Sequence, residues 1–162
     1  MTKQLFRARA TLQPMIEQNG LRFNCCESTL MMVDEKHPLP GFGPSVMRVA
    51  SNFGGGVAGW GSACGALTGA AMVFGLLMGT KGDESPEEFK QKRDRMRAMT
   101  QVFNKAFEEK WGNVNCYGLL GVNTRTPEGK ARYEEMKARG ETHCDEYVEW
   151  AAEKVISILG GE

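Results

Sequence analysis

No charged residue stands between Arg48 and Lys81 of this 162-residue chain. Six glycines lie from Gly54 to Gly65, and residues 63–79 are almost wholly small or apolar. A run of that kind has to be shielded from water, in a bilayer or in the middle of a fold. Its length approaches a transmembrane span. The glycine density before it, the polar Ser62 and Thr68, and the lack of a second such run favour the other solution. The sequence therefore predicts a buried central helix over residues 63–78, entered through a glycine-rich loop. Gly65 and Gly69, then Gly75 and Gly79, recur at a spacing of four and make a flat stripe for close approach of another backbone. That stripe serves tight packing within one chain or a helix pair across a homodimer, and a homodimer is the expected assembly.

Helix signals recur elsewhere, and alternating strand patterns are scarce, so the expected fold is a single-domain, all-α helical bundle spanning residues 1–162. A weakly amphipathic segment covers residues 4–19, interrupted by Pro14. Asn24 with Glu27 forms a capping-box pattern for a helix to about residue 34, and residues 37–44, with three prolines and two glycines, form a loop. A short helix over residues 45–52 leads into the glycine loop. Ser85, Pro86 and Glu88 start a helix carrying Phe89, Met96, Met99, Phe103, Phe107 and Trp111 at helical spacing, stopped by Gly112. Its basic cluster, Lys90, Lys92, Arg93, Arg95 and Arg97, is interleaved with Glu87, Glu88 and Asp94 and reads as a solvated face. Asn115 opens a short turn through Cys116 to Leu120. Thr126 and Pro127 begin a mostly polar helix to about residue 139, which reads as a peripheral excursion. Thr142 with Asp145 is the expected cap of a last helix, whose apolar face holds Val148, Ala151, Ala152, Val155, Ile158 and Leu159.

Composition narrows the function. Lys plus Arg equals Asp plus Glu, at 20 each, so no basic excess points to a nucleic-acid partner. The first 14 residues mix Lys3, Arg7 and Arg9 with polar residues and lack the apolar core of a signal peptide, which predicts a cytoplasmic protein without a membrane partner. There is no P-loop, no strand-linked dinucleotide fingerprint and no CxxCH for covalent haem.

The chemistry-bearing residues are cysteines. Four of the five follow a good N-cap residue by one or two positions: Asn24–Cys25, Ser62–Cys64, Asn115–Cys116 and Thr142–Cys144. Such placement predicts four sulfurs at the positive ends of four helices, where thiolates are favoured for redox work or metal binding. No two have CxxC spacing, so any shared site must be assembled by the tertiary fold. The plain alternative is that each is a small buried hydrophobe. Cys26 adjoins Cys25, about 100° round a helix, and reads as filler or as a supplementary ligand. His143 beside Cys144 is an alternative ligand or proton carrier, and His37 falls in the proline loop. The glycines after Phe53 would bring backbone N–H groups close to an anionic site beside Cys64.

Phe53-Gly54-Gly55-Gly56, Gly61 and Cys64-Gly65-Ala66-Leu67-Thr68-Gly69-Ala70 together resemble the signature of the C_GCAxxG_C_C redox-active proteins. Asn24-Cys25 with Glu27, Asn115-Cys116 with Leu119-Leu120-Gly121, and Cys144 with Tyr147-Val148 resemble the family's other cysteine segments. The resemblance implies that Cys25, Cys64, Cys116 and Cys144 are redox or metal-binding cysteines, with Cys26 as an additional candidate. Gly54, Gly55, Gly56 and Gly65 are the glycines expected to bind the cofactor. The family is similar to the iron–sulfur part of split-Soret cytochrome c, which implies an iron–sulfur cluster and an electron donor or acceptor protein as partner. Two positions depart from the pattern: Cys26 stands where a small residue such as Ala is expected, and Asp145 where Pro is common. A metal-free thiol–disulfide oxidoreductase and a structural zinc domain with four cysteine ligands are the alternatives.

Overall fold

The computed structural model describes residues 17, 18 and 20–161. Most of the amphipathic segment expected over residues 4–19 lies outside them. At its end the chain pairs as two short antiparallel strands, β1 (Glu17–Gln18) and β2 (Leu21–Arg22), with Glu17 opposite Arg22 and Gln18 opposite Leu21. Seven helices follow among the described residues: α1 (Cys25–Lys36), α2 (Pro44–Ala50), α3 (Gly65–Met78), α4 (Pro86–Trp111), α5 (Cys116–Leu120), α6 (Pro127–Ala138) and α7 (Cys144–Gly160). The chain is an all-α domain, with the glycine-rich loop leading into the buried α3 as expected. No helix among the described residues is long and apolar enough to cross a membrane.

Local chemistry explains where the helices start and stop. The Glu27 N–H donates to Asn24 Oδ1 at 2.9 Å and the Asn24 N–H to Glu27 Oε2 at 2.7 Å, a complete capping box for α1. Ser85 and Thr126 accept from the N–H groups of Glu88 and Gly129, each with proline at the first helical position. Gly112, Gly121 and Gly161 end α4, α5 and α7 in the left-handed conformation.

Packing centres on α1, which lies against both α3 and α7, while α4 packs on α3 and α7. Although α1 is only moderately apolar, Cys26, Leu30, Met31 and Val33 are fully buried, together with Ser28 and Thr29. The hydroxyls are tolerated because they return to the backbone, Thr29 donating to the Cys25 carbonyl at 2.8 Å and Ser28 to that of Phe23 at 3.4 Å. The first half of the glycine stripe is used here. A Cβ on Gly65 would overlap the Cys25 sulfur, and one on Gly69 would crowd Thr29 Cβ, so these glycines bring α3 onto α1 within one chain. Beside Gly75 there is open space.

The other half of the core is aromatic. Phe103 meets Phe74 edge-on at 6.4 Å, and Trp111 meets Tyr147 at 4.9 Å, with Phe107 and Trp150 between them. Such rings contribute beyond their buried area through edge-to-face geometry. The expected apolar face of α4 is therefore core from Met96 onward, but Phe89 is only partly covered, under the Arg93 guanidinium at 4.3 Å. The basic cluster is a solvated face, with Lys90 on Asp94 at 2.6 Å and Lys92 on Glu84 and Glu88.

Candidate metal and redox centre

Each of the four cysteines lies at a helix start. Cys25, Cys116 and Cys144 open α1, α5 and α7, and Cys64 is the residue before α3. Only one of the four expected caps makes its bond, that of Asn24. Cys64 itself, rather than Ser62, occupies the N-cap of α3, Asn115 makes no side-chain capping bond, and His143 rather than Thr142 precedes α7. The reason is visible at two of these sites, where the backbone before the helix is committed elsewhere. Cys64 N–H donates to the Val114 carbonyl at 2.9 Å, and Cys116 N–H to that of Ser62 at 2.7 Å. This antiparallel bridge, centred on Ala63 and Asn115, ties the starts of α3 and α5 together and sets Cys64 beside Cys116.

Cys25, Cys64, Cys116 and Cys144 line one cavity of about 680 Å3. Gly54, Gly55 and Gly65 line it with them. Gly56 lies behind, where a Cβ would run into the Ser62 backbone and Cys116 Cβ. The glycine loop has an unusual conformation. Gly55, Gly56, Val57, Ala58 and Gly59 all have positive φ, including 64° at Val57 and 52° at Ala58. A left-handed backbone costs an L-residue about 1–2 kcal/mol, and strain of this kind clusters at functional sites. The turn brings the Gly55 N–H onto the Cys25 sulfur, which also receives backbone N–H groups at Cys26 and Gly65. The loop thus donates to Cys25 and lines the same cavity as Cys64, beside which the sequence placed it. Cys64 receives the Ala66 N–H.

These donors do not make the metal-free thiols anionic. Burial pushes Cys116 up to about 12 and Cys144 up to about 11, and raises Cys25 and Cys64 as well. Repulsion among the four adds to the effect, Cys25 acting on Cys64, Cys116 and Cys144. The expectation of thiols poised as anions by helix ends is therefore corrected, because desolvation outweighs the helix N–H groups. A cation that replaces the protons removes that penalty.

The sequence predicted α6 as a helix but missed its role. It is no peripheral excursion, because Lys130, Tyr133 and Glu134, one face of the helix, line the cavity. The Tyr133 hydroxyl donates to the Cys144 sulfur, and burial raises the phenol well above its ordinary value. The spacing of Lys130, Tyr133 and Glu134 at i, i+3 and i+4 was the available signal. Its single aromatic gave no indication of covering a cavity rather than a core.

Cys26 does not line the cavity. Fully buried, it donates to the Met72 sulfur at 3.7 Å between α1 and α3, and burial pushes its thiol up to about 12. His143 is directed at Glu146 Oε1, 3.1 Å away, with more than half of its side chain exposed. Among the described residues no three His, Cys, Asp or Glu side chains stand close enough together to hold a metal ion.

Helix-borne thiols gathered from four separate elements round one cavity define a small all-α cysteine-site protein. Over residues 23–158 the chain matches the model of the family described as "Putative redox-active protein (C_GCAxxG_C_C)", and it belongs to that family. No curated protein and no solved structure matches it.

Proposed function

We propose that this redox-active protein transfers electrons through an iron–sulfur cluster bound by Cys25, Cys64, Cys116 and Cys144, and exchanges them with a separate donor or acceptor protein. The observation that carries this reading is the convergence of four thiols on one cavity, with backbone N–H groups aimed at two of the sulfurs. The donor set fits, because cysteine thiolates are the usual ligands of such clusters and N–H donors to sulfur raise their potential. When bound, the cluster would supply one-electron chemistry. The chain would hold it, screen it from water with α6 and the glycine loop, and stabilise sulfur charge through Gly55, Gly65, Ala66 and Tyr133.

Two other chemistries fit less well. A thiol–disulfide oxidoreductase needs an accessible thiolate of lowered pKa, and burial moves these thiols the other way. A structural zinc ion needs four sulfurs within about 2.3 Å of one point, whereas a cluster spreads its ligands over several iron atoms. Cys26 stays outside the ligand set in this reading. Anaerobic reconstitution followed by iron and acid-labile sulfide analysis tests the proposal. Stoichiometric iron and sulfide with visible absorbance support it. A colourless protein with one zinc per chain overturns it.

A further inference from the structure

The cavity does not end at the thiols. Of the residues that line it, Cys64 and Tyr147 are each 6% exposed, whereas Trp60 is 62% exposed. Arg125, Lys130 and Glu134, also exposed, form its rim with Trp60. A volume of about 680 Å3 falls within the range of small-molecule pockets, about 300–1,000 Å3.

The rim groups are arranged unequally. The Arg125 guanidinium lies over the Trp60 ring at 5.0 Å, and its Nε donates to Asn123 Oδ1 at 3.2 Å. One face and one N–H are thereby engaged, and the guanidinium is oriented with its terminal N–H groups uncommitted among the described residues. Lys130 has no ion-pair partner among the described residues, whereas Glu134 is held by Lys137 Nζ at 2.7 Å. The rim therefore presents two cations without a carboxylate partner among the described residues and one carboxylate paired to Lys137. Trp60, Leu119 and Leu120 line the same cavity and give it apolar surface. Two cations would suit any small anion. An apolar wall with an aromatic face selects one that carries a hydrocarbon body.

We propose that the outer half of this cavity is a binding subsite for a small organic carboxylate. Arg125 and Lys130 grip the carboxylate, and Trp60 with Leu119 and Leu120 contact its apolar body beside the cysteine centre. Arg125 is suited to this by its planar fork, which matches a carboxylate with two parallel hydrogen bonds. The inference deepens the function proposed above by naming a substrate class. It depends on that reading only for what happens after binding.

Benzoate binding, followed by tryptophan fluorescence and calorimetry, tests the subsite on the full chain in metal-free reduced and iron-reconstituted forms. Saturable binding is expected, at least about tenfold weaker in R125Q and in K130Q and no weaker in E134Q, with unchanged far-UV circular dichroism. Benzamide, the neutral counterpart, is expected to bind at least about tenfold more weakly than benzoate. Absence of saturable benzoate binding, equal affinity in R125Q, or equal affinity for benzamide overturns the proposal. Sulfate competing as well as benzoate overturns the organic part of it. If the two cations only balance the charge of the bound centre, R125Q loses iron while keeping its benzoate affinity, and the subsite is refuted. Benzoate binding by a protein that takes up no iron leaves the subsite standing and removes the cluster. Iron uptake without benzoate binding does the reverse.

Discussion

At the scale of single residues, two adjacent cysteines have different fates. Cys25 reaches the cavity, while Cys26 is sealed between α1 and α3 against Met72. Replacing Cys25, Cys64, Cys116 or Cys144 singly by Ser is expected to lower bound iron severely. Cys26→Ala should keep the iron and lose about 1 kcal/mol of stability from the vacated volume; iron content and urea denaturation of the five variants check this. In the reduced, metal-free protein, iodoacetamide should label the four cavity thiols more slowly at pH 8 than free cysteine, because burial raises them. Faster labelling would restore the helix-end expectation. The strained loop gives a third check. Val57 has φ 64°, so Val57→Gly should be neutral to about 1 kcal/mol stabilising, as the relief of left-handed strain offsets glycine's entropy. Ala70→Gly, inside α3, should instead cost about 1 kcal/mol in the same denaturation experiment.

At the scale of elements, the sequence is most legible where a signal is local. Asn24 with Glu27, Ser85 with Pro86, and Thr126 with Pro127 mark helix starts with groups that lie within one turn of each other. The structure places all three there. Ser62 and Thr142 carry the same kind of signal and fail. At Ser62 the deciding contact is non-local, since its carbonyl is taken by Cys116 N–H across 54 residues of chain. One further local device was not anticipated. Glu84, its side chain 3% exposed, accepts from the N–H groups of Lys81 and Gly82 and from Lys92 Nζ, which hold its carboxyl down at about 2. A lowered carboxylate pKa stabilises the fold above the ordinary value of 4.5 and loses that contribution as pH falls toward about 2. Wild type should therefore melt higher than Glu84→Gln at pH 7, with the gap closing by about pH 2; thermal melts across that range measure it.

At the scale of the whole molecule, the fold class followed from the uncharged run, the glycine loop and the helical spacing of apolar residues. The centre of the bundle was less legible, because α1 is buried through hydroxyls that satisfy themselves on its own backbone rather than through a strongly apolar face. That Cys25, Cys64, Cys116 and Cys144 sit at helix starts could be read, but the geometry that brings them to one cavity could not. It depends on the bridge between residues 63 and 115, on the left-handed turn at residues 55–59, and on α6 as a cover. The first two have no periodic signature, and the i, i+3, i+4 face of α6 does not say what it covers. The central proposal is that four thiols at four helix starts hold one iron–sulfur cluster while a fifth, Cys26, takes no part. The most direct measurement is iron and acid-labile sulfide per chain after anaerobic reconstitution, in wild type and Cys26→Ala side by side. Matching stoichiometric iron and sulfide in both proteins is the predicted result. No iron in either protein would contradict the account, as would its loss from Cys26→Ala alone.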